Sequence, residues 1–442
     1  MNASTPTHDT SQEESTDLLE FEGDIDPHLD IPNNGEILII SNDQSHLTHG
    51  IHKFPAKFFP ELPRYLIRKY SETGETVLDP MCGSGTVVLE SMLNNRVGIG
   101  IDIDPIAQLI TKVKTTPINP RLLTRATRDL TGEIHHLEKT SDYHPKIPEF
   151  HYRDNWFRSF VLRELAIISE AIESQVSIHP NNVIWKDIGD FFRVILSSII
   201  RDVSNADPHC TRTVLRKRLV KKIAPGDTYE KFTEKLFYHS QSMSHLFDVS
   251  NTLDFIDVRL PVGNAIDTGL GGDSIDLAVT SPPYINAVDY PRTHQLEMYW
   301  LGLLGDGPLS NVKREYIGTE TVYKNEYASL KVSGFETLDP ILEKIFNSDP
   351  RRSFIVYKFF EDMKQQLAEL LRILKPEGRY CIAIGNNLIR GVEVRSDRIL
   401  SEIAISLGFE LERTFFSKLI RHFIRIPRPE RMLGEWILVL KK

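Results

Sequence analysis

Glu75-Thr76-Val77-Leu78-Asp79-Pro80-Met81-Cys82-Gly83-Ser84-Gly85-Thr86 is the stretch that decides the fold class. A short apolar strand ends in a carboxylate, a glycine-rich turn follows, and an apolar helical pattern runs from Val87 to Leu93. Such a turn lets the backbone approach a ligand closely, and the amino end of the helix favours the ligand's anionic end. Val97-Gly98-Ile99-Gly100-Ile101-Asp102-Ile103-Asp104 then reads as a second strand ending in carboxylates. At the tip of the neighbouring strand, Asp102 can accept both hydroxyls of a ribose. The dinucleotide fingerprint G-x-G-x-x-G is not met, because the only glycines of the turn are Gly83 and Gly85 and Val88 stands in the third position.

Far downstream the apolar run Ile275-Asp276-Leu277-Ala278-Val279 reads as a buried strand, and Thr280-Ser281-Pro282-Pro283-Tyr284 follows it. The prolines fix their own φ and push the residue before them into extended geometry, which holds carbonyls outward at the strand's carboxyl end. Open α/β sheets bind their ligands there. A fixed carbonyl and the Ser281 hydroxyl can accept hydrogen bonds from an exocyclic amine, while the Tyr284 ring can stack on a planar heterocycle. Pro-Pro after a strand is also an ordinary loop opener, so this motif gains weight only beside the first.

With these motifs the chain resembles the S-adenosylmethionine-dependent DNA methyltransferases that methylate exocyclic amines. DPMCGSGT is similar to their nucleoside-methionine loop, GIDID to their ribose-binding strand end and TSPPY to their catalytic motif. The segment His49-Gly50-Ile51-His52-Lys53-Phe54-Pro55-Ala56-Lys57-Phe58-Phe59-Pro60-Glu61-Leu62 resembles the motif that closes over the methionine part of the cofactor. The resemblance covers residues 46–118 and 256–442. It implies an α/β fold, the class I methyltransferase (Rossmann-like) mixed sheet, with a helical insertion.

As cofactor the resemblance implies S-adenosyl-L-methionine, held by Phe54, Pro55, Asp79, Met81, Cys82, Gly83, Ser84, Gly85, Thr86, Asp102 and Asp104, with Asp267 of Gly263-Asn264-Ala265-Ile266-Asp267 on the adenine amine. Asp257 and Asp273 compete for that last role. Met81 replaces the family's usual Phe, a softer thioether contact. The implied catalytic residues are Ser281, Pro282, Pro283 and Tyr284. Ser in the first motif position accompanies methylation of the cytosine 4-amino group, whereas Asp or Asn accompanies adenine, so the expected activity is cytosine-N4-specific. Adenine-N6 methylation of DNA, methylation of an RNA base amine and a catalytically silent nucleic-acid-binding relative stand as alternatives. The implied partners are double-stranded DNA and a cognate restriction endonuclease, in a restriction-modification or related system.

Length and composition agree with this reading. The chain has 442 residues and 40 % hydrophobic content, enough for a sizeable core. Cys82, Cys210 and Cys381 are widely spaced, which argues against a disulfide framework or a zinc site and for a reducing cytoplasm. The acidic amino terminus does not read as a signal peptide, and no apolar run is long enough to span a bilayer. His46, His49 and His52 lack an apparent fourth ligand, so no metal is expected.

Net charge is −9, and residues 1–30 hold nine acids with no Lys or Arg, leaving the remainder neutral. Residues 1–45 accordingly read as an acidic, disordered tail, with shielding of a DNA cleft as its functional alternative. Arg212, Arg216, Lys217, Arg218, Lys221 and Lys222 form a basic run without an acid, suited to tracking phosphates, and Arg292 follows the catalytic motif at the mouth of the base pocket together with Asn286, Asp289 and Tyr290. A second cluster comprises Lys418, Arg421, His422, Arg425, Arg428 and Arg431. A solvated or salt-bridged surface is the plain alternative for both. Residues 119–255 read as helical, with Phe157, Val161, Leu165 and Ile168 on one face and Phe191, Val194, Ile195 and Ile199 on another, and they are the candidate target-recognition region. A helix ending near Leu374, a strand Arg379–Ile384, a helix Ser396–Leu407 and strands Phe409–Phe415 and Glu435–Leu440 complete the catalytic domain.

Overall fold

The computed structural model describes residues 18–41, 43–216, 221–285, 288–304, 309–418 and 433–442. Two strands, β1 (Leu19–Glu22) and β2 (Gly35–Ile40), precede α1 (Glu61–Tyr70), β3 (Thr76–Asp79), α2 (Thr86–Leu93), β4 (Val97–Gly100) and α3 (Pro105–Lys114). Five helices follow: α4 (Pro120–Lys139), α5 (Arg153–Trp156), α6 (Ser159–Ile178), α7 (Val183–Val203) and α8 (Asp227–Ser250). The chain returns through β5 (Val258–Arg259) and β6 (Ile275–Thr280) to α9 (Tyr290–Thr293), α10 (Gln295–Trp300), α11 (Leu309–Glu315), α12 (Asp339–Phe346) and α13 (Pro350–Ile373). It closes with β7 (Leu374–Ile384), a small hairpin of β8 (Asn387–Ile389) and β9 (Val392–Val394), α14 (Ser396–Leu407), β10 (Glu410–Lys418) and β11 (Gly434–Lys441).

Local sequence explains many of these boundaries. Asp104, Asn119 and Asp349 each cap a helix whose first residue is proline, so a side-chain oxygen takes up an orphan N–H while the proline gives up none that the helix needs. Gly408 ends α14 in the left-handed region at φ 114°.

Among the described residues nine strands form one sheet in the order β1-β2-β10-β11-β7-β6-β3-β4-β5. All neighbours are parallel except β11, which runs antiparallel to both β10 and β7. The chain order reverses between β3 and β6, so the sheet has its topological switch point at the two strands that carry the sequence motifs. Alternation along the strands feeds two cores. Leu277, Val279, Cys381, Ala383, Ile437 and Val439 face α1, whereas Ala278, Tyr380, Ile382, Ile384, Leu438 and Leu440 face α12–α14.

The expectation of a disordered tail over 1–45 is corrected for its described part. β1 and β2 extend the sheet beyond β10, and Ile25, Ile31, Ile37 and Ile39 are buried. Several of the tail acids are structural: Asp24 pairs with Arg64 and Arg68, and Asp30 with Lys69 and Arg413. Residues 1–17 lie outside the described residues. The helical reading of 119–255 agrees with the five helices found there. These helices share a core with Leu89 and Met92 of α2, Ile106 and Ile110 of α3, and Leu296 and Met298 of α10, so the insertion is built onto the cofactor half of the sheet.

Candidate active site

The site sits at the carboxyl ends of β3, β4 and β6, where hydrogen bonds tie the three strand tips together. Asp79 Oδ1 accepts from the Thr280 hydroxyl at 2.6 Å and from the Met81 N–H at 3.1 Å, linking the cofactor loop to the strand before TSPPY. Asp102 accepts the Gly83 N–H at 2.7 Å on one oxygen and the Asp104 N–H at 2.8 Å on the other. Each of its oxygens keeps lone-pair capacity for a ligand hydroxyl. Gly83 adopts φ +50°, and a Cβ there would come within 3.1 Å of the Phe54 ring. That ring in turn stacks on Tyr290 and His294, with centroids 5.7 and 5.0 Å away.

A cavity of about 420 Å³ opens between these elements. It is lined by Phe54, Asp79, Met81, Cys82, Gly83, Ser84 and Thr86 on one side, Asp102 and Asp104 on the second, and Asp267, Ser281 and Pro283 on the third. These are twelve of the residues marked for cofactor or catalysis. Burial pushes the carboxyls of Asp79 and Asp104 up to about 7 and that of Asp102 to about 6. Asp104 and the Tyr316 hydroxyl are buried at this wall close to each other. A row of buried carboxyls beside a phenol suits a ligand that brings hydroxyls and positive charge, as S-adenosylmethionine does.

Four of the residues expected at the site do not line the cavity. Pro55 stands outside the lining while Ala56, Lys57 and Phe58 take part in it. Gly85 opens α2 at φ +74° with Thr111 of α3 so close that a Cβ would lie 2.5 Å from Thr111 Cγ2, so its smallness serves helix packing. Pro282 is buried behind the lining. Tyr284 also lies off the cavity, with its hydroxyl 3.5 Å from Ser281 Oγ and bonded to Glu435 of β11.

A second cleft of about 470 Å³ adjoins the first across Tyr290, Tyr316 and Ile317, which line both. Asp289 and Tyr290 border it as the sequence suggests, and Arg212 reaches it from the insertion. Arg292 is exposed on α9 outside the lining, its N–H donating to Asp289, and Asn286 falls outside the described residues.

The rest of the basic run departs from a phosphate-tracking helix face. Arg216 pairs with Asp207 at 2.5 Å, and Lys221 donates to the carbonyls of Arg201 and Asp202 at 2.8 and 3.4 Å, so protein acceptors occupy both. Lys222 is exposed, and Lys217 and Arg218 lie outside the described residues. In the second cluster Lys418 pairs with Glu36, and Arg421, His422, Arg425, Arg428 and Arg431 lie outside the described residues. Of the spaced histidines, His49 bonds Glu90 at 2.8 Å and His52 bonds Ser197 at 2.9 Å, and burial lowers both to about 4, so each is a neutral structural ring.

Sheet order and the antiparallel β11 define the fold class, the class I methyltransferase (Rossmann-like) mixed sheet with a cavity at its strand tips. Residues 11–112 match a family described as DNA methylase. Over 429 residues the chain is 25 % identical to the type II methyltransferase M.MvaI of Kocuria varians, covering 91 % of this chain and 92 % of that one. It is 23 % identical over 440 residues to the type II methyltransferase M.BsoBI of Geobacillus stearothermophilus, covering 85 % and 81 %. A solved TehB-like SAM-dependent methyltransferase from Corynebacterium glutamicum overlaps 86 % of each chain at 11 % identity and a TM-score of 0.28, so the fold assignment stays with the sheet order itself. The matched family is a DNA methylase and both relatives are type II methyltransferases by description, and it is to these that the chain is similar.

Proposed function

We propose that this protein transfers a methyl group from S-adenosylmethionine to the 4-amino group of a cytosine flipped out of double-stranded DNA, as the modification half of a type II restriction-modification system. The observation that carries the reading is that Ser281 and Pro283 of TSPPY line the same cavity as Asp102 and Asp267. In this reading Asp102 holds the ribose hydroxyls and Asp267 the adenine amine, while the loop from Met81 to Ser84 follows the chain between them. When bound, the cofactor supplies an electrophilic methyl on a sulfonium.

The protein's own part is to position the acceptor. The amine lone pair is delocalised into the base ring, and hydrogen bonds from the amine to the Ser281 hydroxyl and the Pro282 carbonyl draw the nitrogen toward a tetrahedral form. Orientation of this kind supplies about 7–11 kcal/mol of rate enhancement, and preorganised dipoles add to it. The second cleft, continuous with the cofactor cavity across Tyr290 and Tyr316, is the entry for the flipped base, which costs a few kcal/mol to extrude. Arg212 at its rim brings a cation from the insertion toward the phosphates.

Methyl-labelled S-adenosylmethionine offered with duplex DNA and, separately, with transfer RNA tests the substrate class. Label in DNA alone is expected; label in RNA alone would transfer the site to the RNA base-amine alternative.

A further inference from the structure

Serine is a weak acceptor for the positive charge that grows on an amine as it is methylated, and Ser281 stands where that charge develops. The hydrogen-bonded chain behind it leads to a carboxylate. Tyr284 places its hydroxyl 3.5 Å from Ser281 Oγ and donates to Glu435, which sits 151 residues further along the chain. Because the Tyr284 hydrogen is engaged on Glu435, Ser281 is the donor in the first link, and its lone pairs are left for the amine. Apo distances of this length tighten when a substrate is bound.

Glu435 is held firmly. It lies on β11 opposite Ser417 of β10, one residue before Trp436, which pairs with Ile384 of β7. Among the described residues, Lys418 pairs with Glu36, and Arg395 lies over Trp436 and bonds Asp397. Tyr290 adds its phenol near Tyr284 from α9. Burial raises the Glu435 carboxyl above its ordinary range, and burial together with Glu435 holds the Tyr284 phenol well above its own.

On the amine-methylation reading above, we propose that Glu435 acts through Tyr284 as a positioning residue and as the terminal proton acceptor for the methylated amine. As the new N–C bond forms and the methyl–sulfur bond breaks with its electron pair left on sulfur, the amine nitrogen becomes positive. It gives one N–H proton to Ser281 Oγ, Ser281 passes its hydroxyl proton to Tyr284, and Tyr284 passes its own to Glu435. The products are a neutral methylamine, a neutral thioether and a protonated Glu435, which returns its proton to solvent as the product leaves. A neutral serine thereby gains the charge-accepting capacity of a carboxylate held further back.

Single-turnover methyl transfer in wild type, E435Q, E435D, E435A and Y284F tests this, together with cofactor affinity by calorimetry and base extrusion by 2-aminopurine fluorescence. E435Q keeps an acceptor for the Tyr284 hydroxyl but cannot take its proton. The expected result is a transfer rate constant lowered about 100-fold or more in E435Q and Y284F, with cofactor affinity and base extrusion close to wild type and partial recovery in E435D. Infrared difference spectra of a turnover should show a protonated carboxyl in wild type that is missing from E435Q. A wild-type rate in E435Q would overturn the proposal, and so would a loss confined to E435A, since either leaves the carboxylate as a mere support for the ring. No transfer to DNA by the wild type would instead overturn the proposed function beneath it.

Discussion

Gly83 and Gly85 are separated by one residue, yet the structure gives them different duties. Gly83 lines the strand-tip cavity beneath Phe54 at φ +50°, whereas Gly85 meets Thr111 of a neighbouring helix at φ +74°. Gly83→Val should therefore abolish cofactor binding in calorimetry, because the side chain must displace the Phe54 ring from a left-handed backbone position. Gly85→Ala should lower thermal stability by more than about 1 kcal/mol, because a left-handed alanine is strained and its methyl has no room against Thr111. Tyr284→Ala should slow methyl transfer by removing the link between Ser281 and Glu435, with cofactor affinity retained, because the ring lies off both clefts. Methylation by Tyr284→Ala at the wild-type rate would refute a role for that link. In the sequence the two glycines look alike, because spacing alone does not say which neighbour each one makes room for.

The strand tips act as one electrostatic element. Asp79, Asp102 and Asp104 come from two adjacent strands and the loop after them, and burial lifts all three toward neutrality, to about 7, 6 and 7. Protonated below that window and ionised above it, they attract a sulfonium only in the ionised state. Affinity for S-adenosylmethionine should rise from about pH 5.5 to about pH 8, and affinity for S-adenosylhomocysteine, whose sulfur is uncharged, should rise less. Calorimetric titration of both ligands across this range checks the sign. A flat profile for S-adenosylmethionine would mean that these carboxyls do not face its charge. The same three groups cost the ligand-free fold stability as pH climbs through their raised values, since ionising them in place is harder than in the unfolded chain.

At the scale of the molecule, what was legible in the sequence is what is local: strand ends, turn residues and caps. The helix over Ser396–Leu407 falls on α14 to the residue, and the TSPPY and DPMCGSGT motifs fall on adjacent parallel strands. Illegible were relations set by distant chain. The acids of the first thirty residues read as a solvated tail, although Ile37 and Ile39 alternate toward a core and Asp30 pairs with Arg413 from the far end of the chain. Arg216 read as a phosphate contact because its partner, Asp207, is set by a loop rather than a helical repeat. Glu435 carried no local signal at all. Removing residues 1–41 should accordingly lower the melting temperature and expose the β10 edge, whereas a mere shielding tail would leave stability unchanged and raise low-salt DNA affinity. The most direct test of the central claim is to methylate duplex DNA with the purified protein, digest it to nucleosides and resolve them by mass spectrometry. The account predicts N4-methyldeoxycytidine; N6-methyldeoxyadenosine as the sole methylated product would contradict it.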